Sequence, residues 1–415
     1  MSADADVIIV GAGMPGATLA LALATGGLKS ILIDPLPFEV QCAPTFDGRA
    51  SAISFSAFRQ WRALGAAEFL ESHAQRIEQI LVTDGRAPGA AARGPSPAFI
   101  RFDAGEIAAR TGGEPLGFML ENRHIRAGLA QAVAAAKIEV LAPAKVAKVD
   151  IEPAVGRVTL DDRRVLAAPL VVGADGRGSM VRRAAGIDTF GWSYPHTAVV
   201  ATVAVDRDHE GVAHEHFLPS GPFAILPLTG RRASLVWTET PARAAALAAA
   251  RPEAFEAHLA RRFGPFLGEA RLDGPRFTYP LSLQMALKLT APRIALVGDS
   301  GHAIHPIAGQ GLNMGLKDCA ALAQVVVEAV RLGEDLGAAT VLARYERWRR
   351  LDNIAVAAAT DAFNRLFTND NPLARAVRGA GMSLTGRVGP ARRLFMTEAG
   401  GALGDLPRLL KGEAI

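Results

Sequence analysis

The sequence predicts an α/β fold: a discontinuous, Rossmann-like nucleotide-binding domain, an antiparallel β-sheet domain inserted into it, and a helical C-terminal region. Three strand-to-helix turns predict it, at residues 7–16, 170–179 and 294–313 of the 415. Each joins an apolar run to a Gly-rich or Asp-Gly turn. Between them run alternating stretches such as 198–205 and 234–238, the pattern that half-buried strands require.

The first turn carries the strongest local signal. Val7-Ile8-Ile9-Val10 has strand length, Gly11-Ala12-Gly13-Met14-Pro15-Gly16 follows, and 17–24 reads as a helix stopped by Gly26-Gly27. Ser30-Ile31-Leu32-Ile33 is a second strand that ends at Asp34. In such a βαβ unit the first glycine makes the tight turn, the second lets a pyrophosphate approach the backbone, and the third packs helix on strand. Asp34 stands 23 residues after Gly11, near the spacing of about 20 at which an acid meets ribose hydroxyls. Gly11, Gly13, Gly16 and Asp34 are therefore read as dinucleotide-binding residues. By itself this fingerprint serves FAD and NAD alike.

The other two turns favour FAD. Leu170-Val171-Val172-Gly173 runs into Ala174-Asp175-Gly176 and then a helix from Met180, while Asp299 ends the third strand, placed for ribityl or ribose hydroxyls. After it, Gly309-Gln310-Gly311-Leu312-Asn313 leads a helix expected over 312–331, with Gly333 as its stop signal. Glycine backbone admits a flat ring that a Cβ would push away. The positive helix end favours an anionic ligand edge by about 1 kcal/mol, and reduced flavin is anionic along N1/O2. Asp175, Asp299 and residues Gly309, Gln310, Gly311, Leu312 and Asn313 are thus expected to bind FAD. His302 and His305 flank the loop without a carboxylate or cysteine to complete a ligand set, so packing or supporting roles are expected and no metal site.

Composition sets the remaining bounds. Half the residues are hydrophobic, enough for two or three packed domains. No apolar stretch reaches the roughly 18 to 20 residues that span a bilayer, and the acidic start Met1-Ser2-Ala3-Asp4-Ala5-Asp6 predicts no secretory signal. Two distant cysteines, Cys42 and Cys319, fit a reducing cytoplasm. Of 45 basic residues only seven are lysine, a usage bias rather than a nucleic-acid surface, and no zinc spacing or RNA-binding aromatic signature accompanies it. Residues 84–98, rich in Gly, Ala and Pro, read as a loop, and 242–263 as one Ala-rich helix.

Together these stretches resemble the class A FAD-dependent aromatic monooxygenases, the group with the para-hydroxybenzoate hydroxylase-like fold. Asp47-Gly48-Arg49-Ala50-Ser51-Ala52-Ile53-Ser54, Glu121-Asn122-Arg123, Gly221-Pro222-Phe223-Ala224-Ile225-Leu226-Pro227-Leu228 and Tyr279-Pro280-Leu281 resemble its ubiquinone-biosynthesis hydroxylase branch. So do Leu366-Phe367-Thr368-Asn369-Asp370-Asn371-Pro372-Leu373 and the loop from His305-Pro306-Ile307-Ala308 to Asn313. The resemblance runs the whole chain in order. Asp34 stands where the branch has Glu, and Ser300-Gly301 replaces an Ala-Ala pair; neither change removes cofactor chemistry.

The resemblance implies an FAD domain from 1–75, 101–180 and 291–340, a substrate domain from 76–100 and 181–290, and a helical region over 341–415. It implies hydroxylation of the aromatic ring of a polyprenylated phenol or quinone precursor. NAD(P)H reduces FAD, O2 adds to give a C4a-hydroperoxide, and the terminal oxygen passes to the ring. Most of that chemistry is the cofactor's; the protein must position the ring and exclude water. Arg49 matches an arginine that touches the flavin or its pyrophosphate, a task suited to fixed, always-charged donors. Arg123 matches a position at the sugar-phosphate portion, and Pro306 one over the reactive edge. Arg49 and Pro306 are the expected catalytic positions. No second Gly-x-Gly-x-x-Gly occurs, which fits transient binding of NAD(P)H.

Phe217, Phe223 and Leu226 suit an apolar carpet over the flavin, with ordinary sheet core as the alternative. His214 and His216 alternate with Glu215, so the histidines share one face; His216 is placed with the substrate residues, against a packing or solvent-facing alternative. No general base stands out. A polyprenyl tail implies peripheral contact with the inner membrane surface, or membership of a ubiquinone-biosynthesis complex. From 371 onward seven basic residues oppose three acidic ones, with Leu384, Leu394, Phe395 and Met396 interleaved. Each basic residue at an anionic surface adds about 1 kcal/mol. A solvated tail or a partner-docking surface reads equally well there. Rival functions are hydroxylation of a small soluble phenol, a non-catalytic flavin-binding component of a complex, and an NAD-binding regulator. A halogenase is disfavoured because no Trp-x-Trp-x-Ile-Pro run occurs.

Overall fold

A computed structural model of the chain describes residues 3–84, 99–218, 220–264, 266–306, 309–367, 396, 400–401 and 404–415. The three turns meet because their strands are neighbours in one sheet. Its six strands run in the order 290–291, 294–296, 170–173, 7–10, 30–33, 139–141, parallel except for the edge pair of Thr290–Ala291 with Ile294–Leu296. Val7–Val10, Ser30–Ile33 and Leu170–Gly173 are buried at every position, as strands covered on both faces must be. Val7 and Ile9 pack with helices Met14–Thr25, Asn122–Ala135 and Gln310–Arg331. Ile8 and Val10 pack with a three-stranded antiparallel layer over 146–168. Parallel direction puts every carboxyl end at one edge, where open α/β sheets bind ligands.

The second sheet has nine strands and lies over that edge. Its path runs 302–303, 277–286, 189–205, 232–239, 221–228, 212–218, 79–84, 99–103, with Ala270–Leu272 pairing the long strand Thr189–Val205. Most pairs are antiparallel; Val212–Leu218 and Gln79–Asp84 are parallel. One face carries Val199, Phe223, Ile225, Leu235 and Trp237, packed against Ala244, Leu247, Phe255 and Leu259 of two helices. The other face turns toward the nucleotide-binding domain. There Tyr279 reaches Asp47, and Ala213 and Leu226 pack with Ala50 and Ala52.

Several expected boundaries shift. Gln75–Ile77 pairs with Gly117–Glu121, which also pairs with Ala50–Ser54, so it belongs to a separate three-stranded sheet rather than the inserted one. Phe99–Asp103 continues the large sheet beyond residue 100. The single helix expected over 242–263 is two, Pro241–Ala249 and Pro252–Phe263. Pro252 supplies no N–H and forces Arg251 into extended backbone (ψ 151°), which breaks the run. The loop expected at 84–98 lies, from 85 on, outside the described residues.

Ala339–Phe367 is a 29-residue helix. Most of the basic stretch from 371 onward is outside the described residues, but its end is not a free tail. Leu409, Leu410 and Ile415 are buried in the core around Gln310–Arg331, and Arg331 Nη2 donates to the Ile415 carbonyl at 3.0 Å. No helix among the described residues is long and apolar enough to cross a membrane.

Candidate cofactor site

The three fingerprint glycines do different work. A Cβ on Gly11 (φ +104°) would lie 2.3 Å from the Ala174 carbonyl oxygen, and one on Gly16 only 1.9 Å from that of Gly11. A Cβ on Gly13 would meet nothing within 4 Å. The first and third glycines therefore close strand on strand and helix on strand, and the second leaves an open flank. Helix Met14–Thr25 starts there without a side-chain cap, so its first N–H groups stay available to an anion. Asp34 Oδ2 accepts from Ala12 N at 2.8 Å and Oδ1 from Leu36 N at 2.9 Å, which ties the glycine loop to the end of the second strand. Burial raises the Asp34 pKa against the pull of those bonds.

The second and third turns are cross-linked. Arg182 donates to the carbonyls of Ser300 and Arg177, each at 2.7 Å. The Ser300 hydroxyl donates to the Gly173 carbonyl oxygen at 2.6 Å. Asp175 Oδ2 accepts from the N–H groups of Met180 and Val181, and its Oδ1 is buried without a hydrogen-bond partner among the described residues. Asp299 is half exposed at the rim, 3.8 Å from Arg177 Nε.

Helix Gln310–Arg331 begins at Gly309 (φ +62°), again without a side-chain cap. A Cβ on Gly311 would approach no atom closer than 4.0 Å. Asn313 spends its amide on structure: Nδ2 donates to the carbonyls of Ala52 (2.8 Å) and Gly309 (3.2 Å), and Oδ1 accepts from Ser54 N (2.9 Å). What this residue offers a ligand is backbone. Gln310, Gly311 and Leu312 are part-buried in the first turn, and Pro306 is exposed just before it. Ile307 and Ala308 fall outside the described residues.

Sequence reasoning did not find what organises Arg49. Its Nε and Nη2 both reach the buried Asp47 carboxylate at 2.9 Å, and its guanidinium lies 4.8 Å from the Tyr279 ring centre. Asp47 also accepts from Arg126 Nη2 (2.6 Å), Asn122 Nδ2 (3.1 Å) and the Tyr279 hydroxyl (3.2 Å). Burial opposes its charge, yet the Arg49 guanidinium, with Arg126 and Asn122, holds the carboxyl well below the usual range. Arg123 is not in this cluster. It pairs with Glu121 at 3.0 Å, and Glu121 also meets Arg232 of the large sheet at 3.1 Å.

The four expected substrate residues divide between the two sheet faces. Phe217 and Leu226 lie on the face toward the nucleotide-binding domain, Phe217 stacked on Phe367 with ring centres 3.9 Å apart. His216 and Phe223 lie on the opposite face, a correction to their expected place over the flavin. Phe223 packs on Trp237, and His216 Nδ1 is 2.5 Å from the Thr83 hydroxyl. Burial pushes the His216 ring down to about 4, so it packs as a neutral group. Side chains alternate along a strand, and the sheet spends this face on its two helices.

The open flank at Gly13, the buried acid Asp34 and the uncapped helix start at Gly309 fit FAD, and the fold and site together are those of a dinucleotide-binding protein. A sequence profile for the FAD binding domain family matches residues 4–360. The chain is 44% identical over 417 aligned residues to "Ubiquinone hydroxylase UbiL" of Rhodospirillum rubrum, covering 99% of this chain and 94% of that one. It is 33% identical to "3-demethoxyubiquinol 3-hydroxylase" of Escherichia coli K12, covering 94% and 96%. Its fold matches the crystal structure of p-nitrophenol 4-monooxygenase PnpA from Pseudomonas putida DLL-E4 with a TM-score of 0.78, at 19% identity and 96% and 98% coverage. The chain belongs to the FAD-dependent aromatic monooxygenases, in the family of the ubiquinone-biosynthesis hydroxylases.

Proposed function

We propose that this protein hydroxylates the aromatic ring of a polyprenylated phenol or quinone precursor in ubiquinone biosynthesis, using FAD, O2 and transiently bound NAD(P)H. One observation carries the reading. The face of the large sheet that carries Phe217, Leu226 and Tyr279 turns toward the nucleotide-binding domain, where Leu226 packs with Ala50 and Ala52 and Tyr279 bonds to Asp47. Bound FAD, once reduced, supplies activated oxygen to an electron-rich ring.

The chain's own residues prepare that reaction. Gly11, Gly13 and Gly16 would admit the pyrophosphate, Asp34 the ribose, and Asp175 and Asp299 the hydroxyls toward the middle of the cofactor. Residues 309–313 would meet the flavin's N1/O2 edge with backbone N–H groups and the helix dipole, which favours the reduced anion. Arg49, aimed by Asp47, would bring fixed positive charge to the flavin or its pyrophosphate, and Pro306 would cover the reactive edge. Arg123, tied to Glu121 at the sheet junction, would sit at the sugar-phosphate portion. Phe217 and Leu226 would exclude water, which otherwise diverts oxygen from the substrate.

The polyprenyl tail supports a peripheral position on the inner membrane or in a ubiquinone-biosynthesis complex. The deciding experiment supplies the gene to bacterial strains that each lack one ring-hydroxylation step and analyses the accumulating intermediates by mass. Restored conversion in one strain is expected. Failure in all, with NAD(P)H oxidation stimulated only by small soluble phenols, sinks the ubiquinone assignment and favours the small-phenol hydroxylase.

A further inference from the structure

Glu215 occupies the middle of strand Val212–Leu218, opposite Ala224 on one neighbouring strand and Val82 on the other. Its flanking residues on the same face mark where it points. Ala213 packs in a cluster with Leu226, Ala50, Ala52 and Met119; Phe217 packs with Ile100 and Phe367. The carboxylate lies between these two clusters. Ala52 is the residue that a Cβ on Gly309 would meet at 3.1 Å, and its carbonyl receives Asn313. Glu215 thus faces the region beside the first turn of Gln310–Arg331, the ring end of the cofactor site.

Among the described residues the Glu215 carboxylate has no hydrogen-bond or ion-pair partner. The charged groups nearby are turned away or engaged. His214 and His216 are on the opposite face, against Phe266 and Thr83. Arg101 and Asp103 of strand Phe99–Asp103 pair with each other, Arg365 of the long helix pairs with Asp361, and Tyr279 bonds to Asp47. Strands 50–54 and 221–228 present Ala50, Ala52, Pro222, Ala224 and Leu226. Desolvation pushes the carboxyl up to about 8. A half-buried acid with no partner among the described residues is unfavourable for folding, and such groups concentrate at functional sites.

We propose that Glu215 binds the phenolic hydroxyl of the substrate and takes its proton during hydroxylation. The inference rests on the hydroxylase reading above. In this step the phenol O–H bond breaks and a Glu215 O–H bond forms. The electron pair left on the phenolic oxygen enriches the ring at its ortho and para carbons, one of which receives the oxygen atom that O2 supplies through the bound flavin. The hydroxylated carbon gives its proton to water, which restores aromaticity, and Glu215 returns its own proton to the product's phenolate oxygen. The base is its ionised form, so turnover in the wild type should rise with pH and level off once Glu215 is ionised.

The test compares FAD-loaded wild type with Glu215→Gln, which keeps shape and removes the base, and with Glu215→Asp, which withdraws it by one methylene. Oxidised holoprotein is first titrated with 4-nitrophenol. Wild type should bind it as the coloured phenolate at a pH where the free probe is largely neutral, and E215Q as the neutral phenol. In turnover, E215Q should lose hydroxylated product by on the order of 100-fold while NAD(P)H still reduces its flavin. It should also lose the alkaline rise and regain rate with fluorinated, more acidic phenols; E215D should fall between. Wild-type product yield, pH profile and probe spectrum in E215Q would overturn the inference alone. A wild type that hydroxylates no phenol overturns the functional reading and the inference with it. If E215Q retains no FAD, E215D and the wild-type probe titration still decide: a neutral bound probe in both overturns the inference.

Discussion

His302 Nε2 lies 2.5 Å from Asp318 Oδ2, and neither side chain is exposed. The same oxygen accepts the Gly298 N–H at 3.1 Å, and the other accepts from Arg349 Nε at 2.8 Å and Asn353 Nδ2 at 3.3 Å. One carboxylate on helix Gln310–Arg331 thus clamps the Gly298-Asp299 turn to helix Ala339–Phe367. It decides where the third turn meets the other two.

Asp318→Ala should destabilise the protein by about 1 to 3 kcal/mol, because buried Arg349 and His302 each lose a partner, although Arg349 keeps Asp352. Burial opposes the Asp318 charge, but His302 and Arg349 hold the carboxyl down at about 2. A depressed folded value means its contribution is full above the unfolded carboxylate value of 3.8 and is lost as pH falls toward about 2. Urea unfolding of the wild type from pH 6 down to pH 2, set beside the variant, should show the difference between them shrinking over that window. A constant difference would contradict the assignment.

Gly13→Ala and Gly16→Ala should separate binding from folding. Gly16→Ala drives a Cβ into the Gly11 carbonyl, an overpacking that costs about 1 to 3 kcal/mol or more, and should lower the melting temperature of the apoprotein. Gly13→Ala enters open space in ordinary backbone (φ −64°). It should leave apoprotein stability within about 0.5 kcal/mol while weakening FAD binding in a fluorescence titration.

Asp47→Asn removes the charge that aims Arg49 and leaves Arg126 facing a neutral amide. Hydrogen bonds to charged groups contribute about 1.5 to 3 kcal/mol, so the FAD dissociation constant should rise about tenfold or more. Equilibrium dialysis of the flavin checks this, and Asp47→Glu should recover part of the loss. Unchanged retention in D47N would remove Arg49 from the cofactor site.

Phe217→Ala and Phe223→Ala, six residues apart, should behave differently. Phe223 is wholly buried under the two helices, so its truncation should cost about 3 to 5 kcal/mol. Phe217→Ala opens the cofactor-facing side, and more of the NAD(P)H consumed should appear as hydrogen peroxide than as product. Equal coupling in both variants would refute the division of the faces.

Sequence determined whatever depends on neighbours along the chain. The glycine loop with Asp34, the Asp-Gly turn and the long helix after Gly309 were legible because tight turns, helix starts and strand runs are local events. The distance between the three turns, with one ligand to share, announced a discontinuous domain, and family resemblance narrowed the chemistry. The break at Pro252 was also written in the sequence, as a residue that cannot continue a helix, although the alanine pattern masked it.

Tertiary structure decided which groups meet. The Asp47 cluster draws on residues 47, 49, 122, 126 and 279, and no spacing rule joins them. The Asp318 clamp gathers 298, 302, 318, 349 and 353 in the same way. Alternation showed that His214 and His216 share a face and that Glu215 takes the other. It could not say which face meets the cofactor, since a strand's period is identical from either side. The packing of helices Pro241–Ala249 and Pro252–Phe263 under Phe223 and Trp237 distinguishes the faces, with the histidines on the helix-covered side and Glu215 on the side toward the nucleotide-binding domain.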